Sequence, residues 1–144
     1  MDSGHWILEE NVNLEEKTFG FIYLIINNVT NKKYIGKKQC ISRIKRKPLK
    51  GQKRNRIDFK PSDWKTYTSS SNDLNEDIKI YGKEKFSFKI LKTCGSKWEL
   101  AYEEIKKQIE ENVLLRDDYY NQIINVRIGT PPKDILNNFT KYTK

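Results

Sequence analysis

Histidine is almost missing from this sequence of 144 residues; His5 is the only one. It stands apart from the stretch that carries the chain's strongest pattern, so it reads as structural. Cysteine is nearly as scarce. Cys40 and Cys94 form no CxxC pair and no Cys/His cluster, which excludes a zinc ribbon and a disulfide framework and leaves two ordinary buried thiols. No apolar run approaches the roughly 18 to 20 residues that span a bilayer. Residues 1–17 hold acids where a secretory leader needs positive charge and an apolar core. With no leader and no membrane span, the expected location is the cytoplasm, and there are no internal repeats.

What the chain has in quantity is positive charge, unevenly placed. The excess of Lys and Arg over Asp and Glu is +9 overall. Residues 32–65 hold fourteen Lys and Arg against only Asp58 and Asp63, a local +12, whereas residues 1–18 hold five acids and one Lys. Such asymmetry is the footprint of a face that binds a polyanion. Lys37 and Lys38, together with Lys53, Arg54 and Arg56, are the candidate contacts to nucleic acid.

The organising stretch is residues 20–36. Residues 19–26 are β-branched and aromatic, the composition of a buried strand. Asn27, Asn28 and Asn31 supply turn chemistry, and residues 33–38 read as the return strand of a hairpin. At a period of two, Phe21, Tyr23 and Ile25 share one face, as do Tyr34, Gly36 and Lys38. Pairing of those faces puts two phenols beside a glycine, the residue that permits close approach of a ligand or backbone.

Further along, residues 40–47 read as a short helix or turn, and residues 48–62, bounded by prolines, as a long basic loop. The Ser/Asn cluster at 69–72 caps a helix with Leu74, Ile78 and Tyr81, closed by Gly82. Residues 86–94 alternate as a third strand. Residues 97–115 form the longest helix, with Trp98, Ala101, Tyr102, Ile105 and Ile109 as its apolar stripe. The N-terminal His-Trp-Ile-Leu is either a short strand or a segment packed on the sheet. The class expected is α+β: a small, mainly antiparallel sheet of three strands flanked by helices. A domain over 19–128 lies between an N-terminal extension, 1–18, and a tail, 129–144, that docks or hangs loose.

Gly20-Phe21-Ile22-Tyr23 followed by Tyr34-Ile35-Gly36 resembles the signature of the GIY-YIG nuclease superfamily, with Phe in place of the first Ile. Residues 63–71 are also similar to the small members carried by phages and mobile elements, which would place the protein in a host cytoplasm. The resemblance spans roughly 19–121 and implies the same fold. It further implies a Mg²⁺- or Mn²⁺-dependent DNA endonuclease of the homing or restriction kind, whose parts are two tyrosines, an Arg after the second Gly, a Glu on a later helix and an Asn beyond it.

On this sequence the tyrosines are Tyr23 and Tyr34. With Ile105 at zero, Glu104 lies about 100° round the helix, on the shoulder of the stripe, and Glu103 further toward solvent. Glu104 is therefore the metal-binding candidate, a hard oxygen donor suited to Mg²⁺. Asn121 either orients a substrate oxygen or braces the sheet. Arg43, in preference to Arg46, matches the Arg that the family carries on its first helix, where a guanidinium would stabilise the pentavalent phosphate. The chain departs from many members in having Lys47 where they carry His or Tyr. General-base duty then falls to Tyr23, Tyr34 or a hydroxide on the metal, the phenols requiring neighbouring lysines to lower their pKa. No separate DNA-binding domain follows, so recognition falls to the basic loop, the tail or a second subunit, a homodimer on DNA. The rival expectation is a nucleic-acid-binding protein that keeps the hairpin without catalysis.

Overall fold

The computed structural model describes residues 2–125 and 127–136. In chain order it holds β1 (Ile7–Leu8), β2 (Gly20–Asn27), β3 (Lys33–Gln39), β4 (Ile41–Arg46), β5 (Arg56–Pro61), α1 (Asn72–Tyr81), a 3₁₀ turn (Lys83–Lys85), β6 (Phe86–Cys94), α2 (Lys97–Glu110) and the single-turn α3 (Lys133–Leu136). The class is α+β, as expected.

The apolar run of β2 occupies the interior of a four-stranded sheet ordered β1-β6-β2-β3. It pairs antiparallel with both neighbours, and the pairing of Tyr23 with Gly36 and of Ile25 with Tyr34 puts both phenols on one face. Of the N-terminal His-Trp-Ile-Leu, His5 and Trp6 pack on the sheet and Ile7–Leu8 form a strand: β1 adds to β6 in parallel, making the sheet four-stranded and mixed. Trp6 beside it is buried, and its indole donates to the Trp64 carbonyl, so the expected N-terminal extension is built into the core. His5 stacks on Phe88 at 4.0 Å, with Nε2 3.0 Å from the Tyr67 carbonyl.

Two helices cover the two faces. Helix α1, capped by the Ser71 hydroxyl on the Leu74 amide, packs Leu74 and Ile78 with Phe21, Tyr23, Ile25 and Phe88. Helix α2 packs Leu100 against Ile22 and Ile35, with Val113 and Tyr119 from the chain beyond it. Each fully buried large side chain contributes roughly 1.5–3 kcal/mol, so these two layers hold the fold. Both cysteines are buried thiols, with burial pushing Cys40 to about 11 and Cys94 to about 12. No helix among the described residues is long and apolar enough to cross a membrane.

Four expectations are corrected. The stretch 40–47 holds a strand, Ile41–Arg46, not a helix or turn, and the basic loop expected over 48–62 is strand over Arg56–Pro61: β4 and β5 form a separate two-stranded ribbon, from Ile41 opposite Pro61 to Arg46 opposite Arg56. The long helix stops at Glu110 instead of residue 115, and Asn112 turns the chain with φ 53, a left-handed conformation Asn tolerates. Its inward line is also rotated from the expected stripe. Leu100, Glu104 and Gln108 face the sheet, while Tyr102 and Ile109 are exposed. The aromatics of that stripe serve another purpose: Trp98 stacks on Tyr102 at 4.9 Å and donates to the Gly129 carbonyl at 2.8 Å. That contact docks the start of the expected tail, 129–144, of which residues 137–144 lie outside those described.

Candidate active site

Strand β3 is an edge of the sheet, so the outward main-chain groups of Lys33, Ile35 and Lys37 need partners from elsewhere. Lys33 takes main-chain bonds from the segment of Asp118 and Tyr120. Ile35 is gripped by side chains: its N–H donates to Asn121 Oδ1 at 3.0 Å, and its carbonyl accepts from Asn121 Nδ2 at 2.8 Å and Gln108 Nε2 at 2.9 Å. The Lys37 N–H donates to the Glu104 carboxylate. Asn121, Gln108 and Glu104 thus stand in a row where a fifth strand would be. Of the two roles open to Asn121, the geometry is that of the brace.

This row brings Glu104 round the edge of the sheet to the two phenols. Tyr23 and Tyr34 lie with ring centroids 6.1 Å apart and nearly parallel, and the Tyr23 hydroxyl sits over Gly36. A Cβ at position 36 would come within 2.5 Å of Tyr23 Oη and 2.9 Å of Tyr34 Cε1, so only glycine leaves room for the pair. Lys37 Nζ stands 4.0 Å from Glu104 Oε1. A cleft of about 360 Å³ opens beside Tyr34, between Ser70, the first turn of α1 and Asn121.

Electrostatics correct a further expectation. The lysines do not depress the phenols. Burial, then the proximity of Tyr34, Tyr67 and Glu104, pushes Tyr23 well above its ordinary value. Tyr34 is raised as well, by burial above all, with the Ser70 hydroxyl opposing. Both are neutral hydroxyls at neutral pH. Lys38 cannot act on them freely, being ion-paired to Asp63 at 2.7 Å and lying 4.0 Å over the Tyr67 ring. Glu104 is raised by burial, with Lys37 opposing.

The site omits some candidates and adds others. Arg43 and Arg46 lie exposed on β4, and the chain's first helix, α1, carries no Arg, so the expected helical guanidinium is replaced by a ribbon. Lys53, Arg54 and Arg56 are exposed in and beside the turn of that ribbon, and Lys37 and Lys38 lie at the site itself. Glu103, expected to face solvent, is covered and ion-paired to Lys92 at 3.0 Å. Sequence reasoning passed over Tyr67 and Ser70, whose hydroxyl bonds the phenols of Tyr34 and Tyr67; Ser70 had been absorbed into the helix cap. It also passed over Gln108, although its i, i+4 spacing from Glu104 is a usable signal.

Among the described residues no three of His, Cys, Asp and Glu gather as a metal cage. Glu104 alone nevertheless fits a divalent cation of the Mg²⁺ type, which is commonly held by one or two carboxylates together with substrate phosphate and water. Its largely covered carboxylate lies against the Lys37 amide and is costly to leave charged without a cation. A family model described as "Putative endonuclease segE, GIY-YIG domain" matches residues 6–124. Comparison with curated proteins and with solved structures gives no match.

Proposed function

The chain belongs to the SegE GIY-YIG endonuclease-domain family, and from that premise we propose that it hydrolyses phosphodiester bonds of double-stranded DNA with Mg²⁺, or Mn²⁺, held at Glu104. The supporting observation is the packing of Tyr23 and Tyr34 on Gly36 at the sheet edge, with Glu104 near enough to raise both phenols. The cation would polarise the phosphate and acidify the attacking water. Tyr34, the more accessible phenol, hydrogen-bonds that water with its hydroxyl oriented by Ser70. Tyr23, buried and neutral, holds a phosphate oxygen as a donor over the gap that Gly36 leaves. Lys37 stands beside the carboxylate as the cation nearest the developing charge. Arg43 has no part in this cluster.

The test is incubation of long duplex DNA with the chain in Mg²⁺ or in EDTA, with mapping of the ends. New 3′-hydroxyl and 5′-phosphate ends in Mg²⁺ only, absent for Glu104→Gln, are expected. A second reading, binding without catalysis, draws on the lack of an Arg at the cluster among the described residues; salt-dependent binding with no new ends in either metal would establish it instead.

A further inference from the structure

The element without an evident job is the β4–β5 ribbon. Between Ile41 and Pro61 it carries nine Lys and Arg against the single Asp58. All of β5 is exposed, including Phe59 at 63% and Ile57 at 49%, although an isolated two-stranded hairpin has little stability of its own. Its faces differ. Arg46 is ion-paired to Asp58 at 2.9 Å, and Arg56 donates to the Lys47 carbonyl at 3.3 Å. On the other face Arg43 lies opposite Phe59 and Lys45 opposite Ile57, and neither cation forms a salt bridge among the described residues. A surface that alternates free cations with exposed apolar groups suits a partner offering both anionic charge and apolar spots. A second copy of this ribbon would bring its own positive charge to the contact. A DNA duplex offers phosphates, guanine acceptors and thymine methyls together.

We propose that this ribbon is the sequence-reading element, lying in the major groove of duplex DNA with Arg43 and Lys45 toward base edges and Phe59 and Ile57 toward thymine methyls. The proposal rests on the reading of the site as a DNA nuclease. The groove, about 12 Å wide, admits a two-stranded ribbon. Six residues of strand extend about 20 Å, and the ribbon is rooted next to the site: Cys40 bonds Phe19 main chain at 2.8 Å, and Ser62 closes back on Cys40 at 2.9 Å. Counting the few residues from Gly36 to the root, the reach from the site to the ribbon tip is roughly 35 Å, about one turn of duplex. The bases read should therefore lie within about ten base pairs of the bond cut.

The experiment selects, with the full chain carrying Glu104→Gln, from a duplex pool with a randomised core about two helical turns long, and footprints the enriched duplex with dimethyl sulfate. Protection of guanine N7, which lies in the major groove, is expected over a short run of adjacent pairs. In the same background, Arg43→Gln or the double change Phe59→Ser, Ile57→Ser should lower the preference for enriched over unselected duplex by about 5- to 150-fold, with affinity for unselected duplex almost unchanged. Lys50→Gln with Lys53→Gln should weaken both alike. Protection of adenine N3 alone, or an unchanged preference in the Arg43 and Phe59 variants, overturns the proposal. So does a wild-type chain that sediments as a dimer without DNA and is dispersed by Phe59→Ser, which would make the ribbon a self-association surface. If the wild type cleaves duplex while ribbon variants keep its cutting pattern, this proposal fails alone. If it neither binds nor cleaves, the nuclease reading fails and takes the ribbon with it.

Discussion

Two β-hairpins follow each other in this chain and share little beyond their hydrogen-bond pattern. In β2–β3 nearly every residue of the first strand is buried, a core lies on either face, and a short asparagine-rich turn sets the register. In β4–β5 one strand is wholly exposed, the turn is nine residues of mainly polar and basic chain, and only the root touches the core, through Ile41. The first hairpin is held by what it buries. The second is held by little besides its own pairing, and its exposed charge and apolar groups gain most when a partner covers them. We read this as a division of labour: the buried hairpin keeps catalytic atoms in place, and the exposed one is free to conform to a substrate.

The sharpest way to break this division is at Glu104. Glu104→Gln should lower cleavage at least about 1,000-fold, the several kcal/mol that a bound cation supplies, while duplex affinity in EDTA stays put. A comparable loss of affinity would show that the two hairpins do not work separately. Next in size, Tyr34→Phe should lower turnover about 100-fold, the cost of one preorganised hydrogen-bonding group, with the fold intact by circular dichroism. Gly36→Ala should match it by displacing both rings; full activity in either variant removes the phenols from the mechanism. On the exposed side, converting Lys53, Arg54 and Arg56 to Gln should reduce the slope of log affinity against log salt by up to about 2.7, at roughly 0.9 per phosphate contact. Turnover at saturating DNA should not change. An unchanged slope would mean that these charges are merely solvated.

The smallest effect concerns stability. Burial raises the pKa of Glu104 in the folded protein above its unfolded value. Its contribution to stability is therefore complete below the unfolded pKa and is lost as pH rises through the folded one. At neutral pH the ionised carboxylate weighs against the fold, and Glu104→Gln should melt a few degrees higher. The gap should close below about pH 4, where the wild-type group is protonated. A gap independent of pH would trace the gain to packing instead.

The first hairpin was legible because one signal dominated it: period-two alternation with aromatic and β-branched residues, ended by asparagines. The ribbon was not, and its residues explain why. Ile41 and Ile44 are three apart, a helical spacing, yet they sit on opposite faces of β4, and only Ile41 at the root packs on the core. The phase of α2 was misread for a related reason. Trp98, Tyr102 and Ile109 form a regular helical stripe, but part of it packs on the segment at Gly129, while the line facing the sheet carries two polar residues, Glu104 and Gln108. Those polar residues serve the edge of β3, and hydropathy gives no sign of an edge. Tyr23, Tyr34, Glu104 and Asn121 came from the resemblance; that Asn121 grips Ile35, and that Tyr67 and Ser70 join the phenols, took coordinates.

The row of side chains along β3 also bears on the protein's behaviour in a crowded cell. An open sheet edge invites a strand from a neighbouring molecule, the first step toward aggregates. Here one edge is occupied by Asn121, Gln108 and Glu104, and the other ends in the two-residue β1. The groups that shape the site therefore also act as gatekeepers against strand addition. Substitutions chosen to abolish cutting at Glu104 should keep an acceptor there; alanine would free the Lys37 amide and open part of that edge to intermolecular pairing.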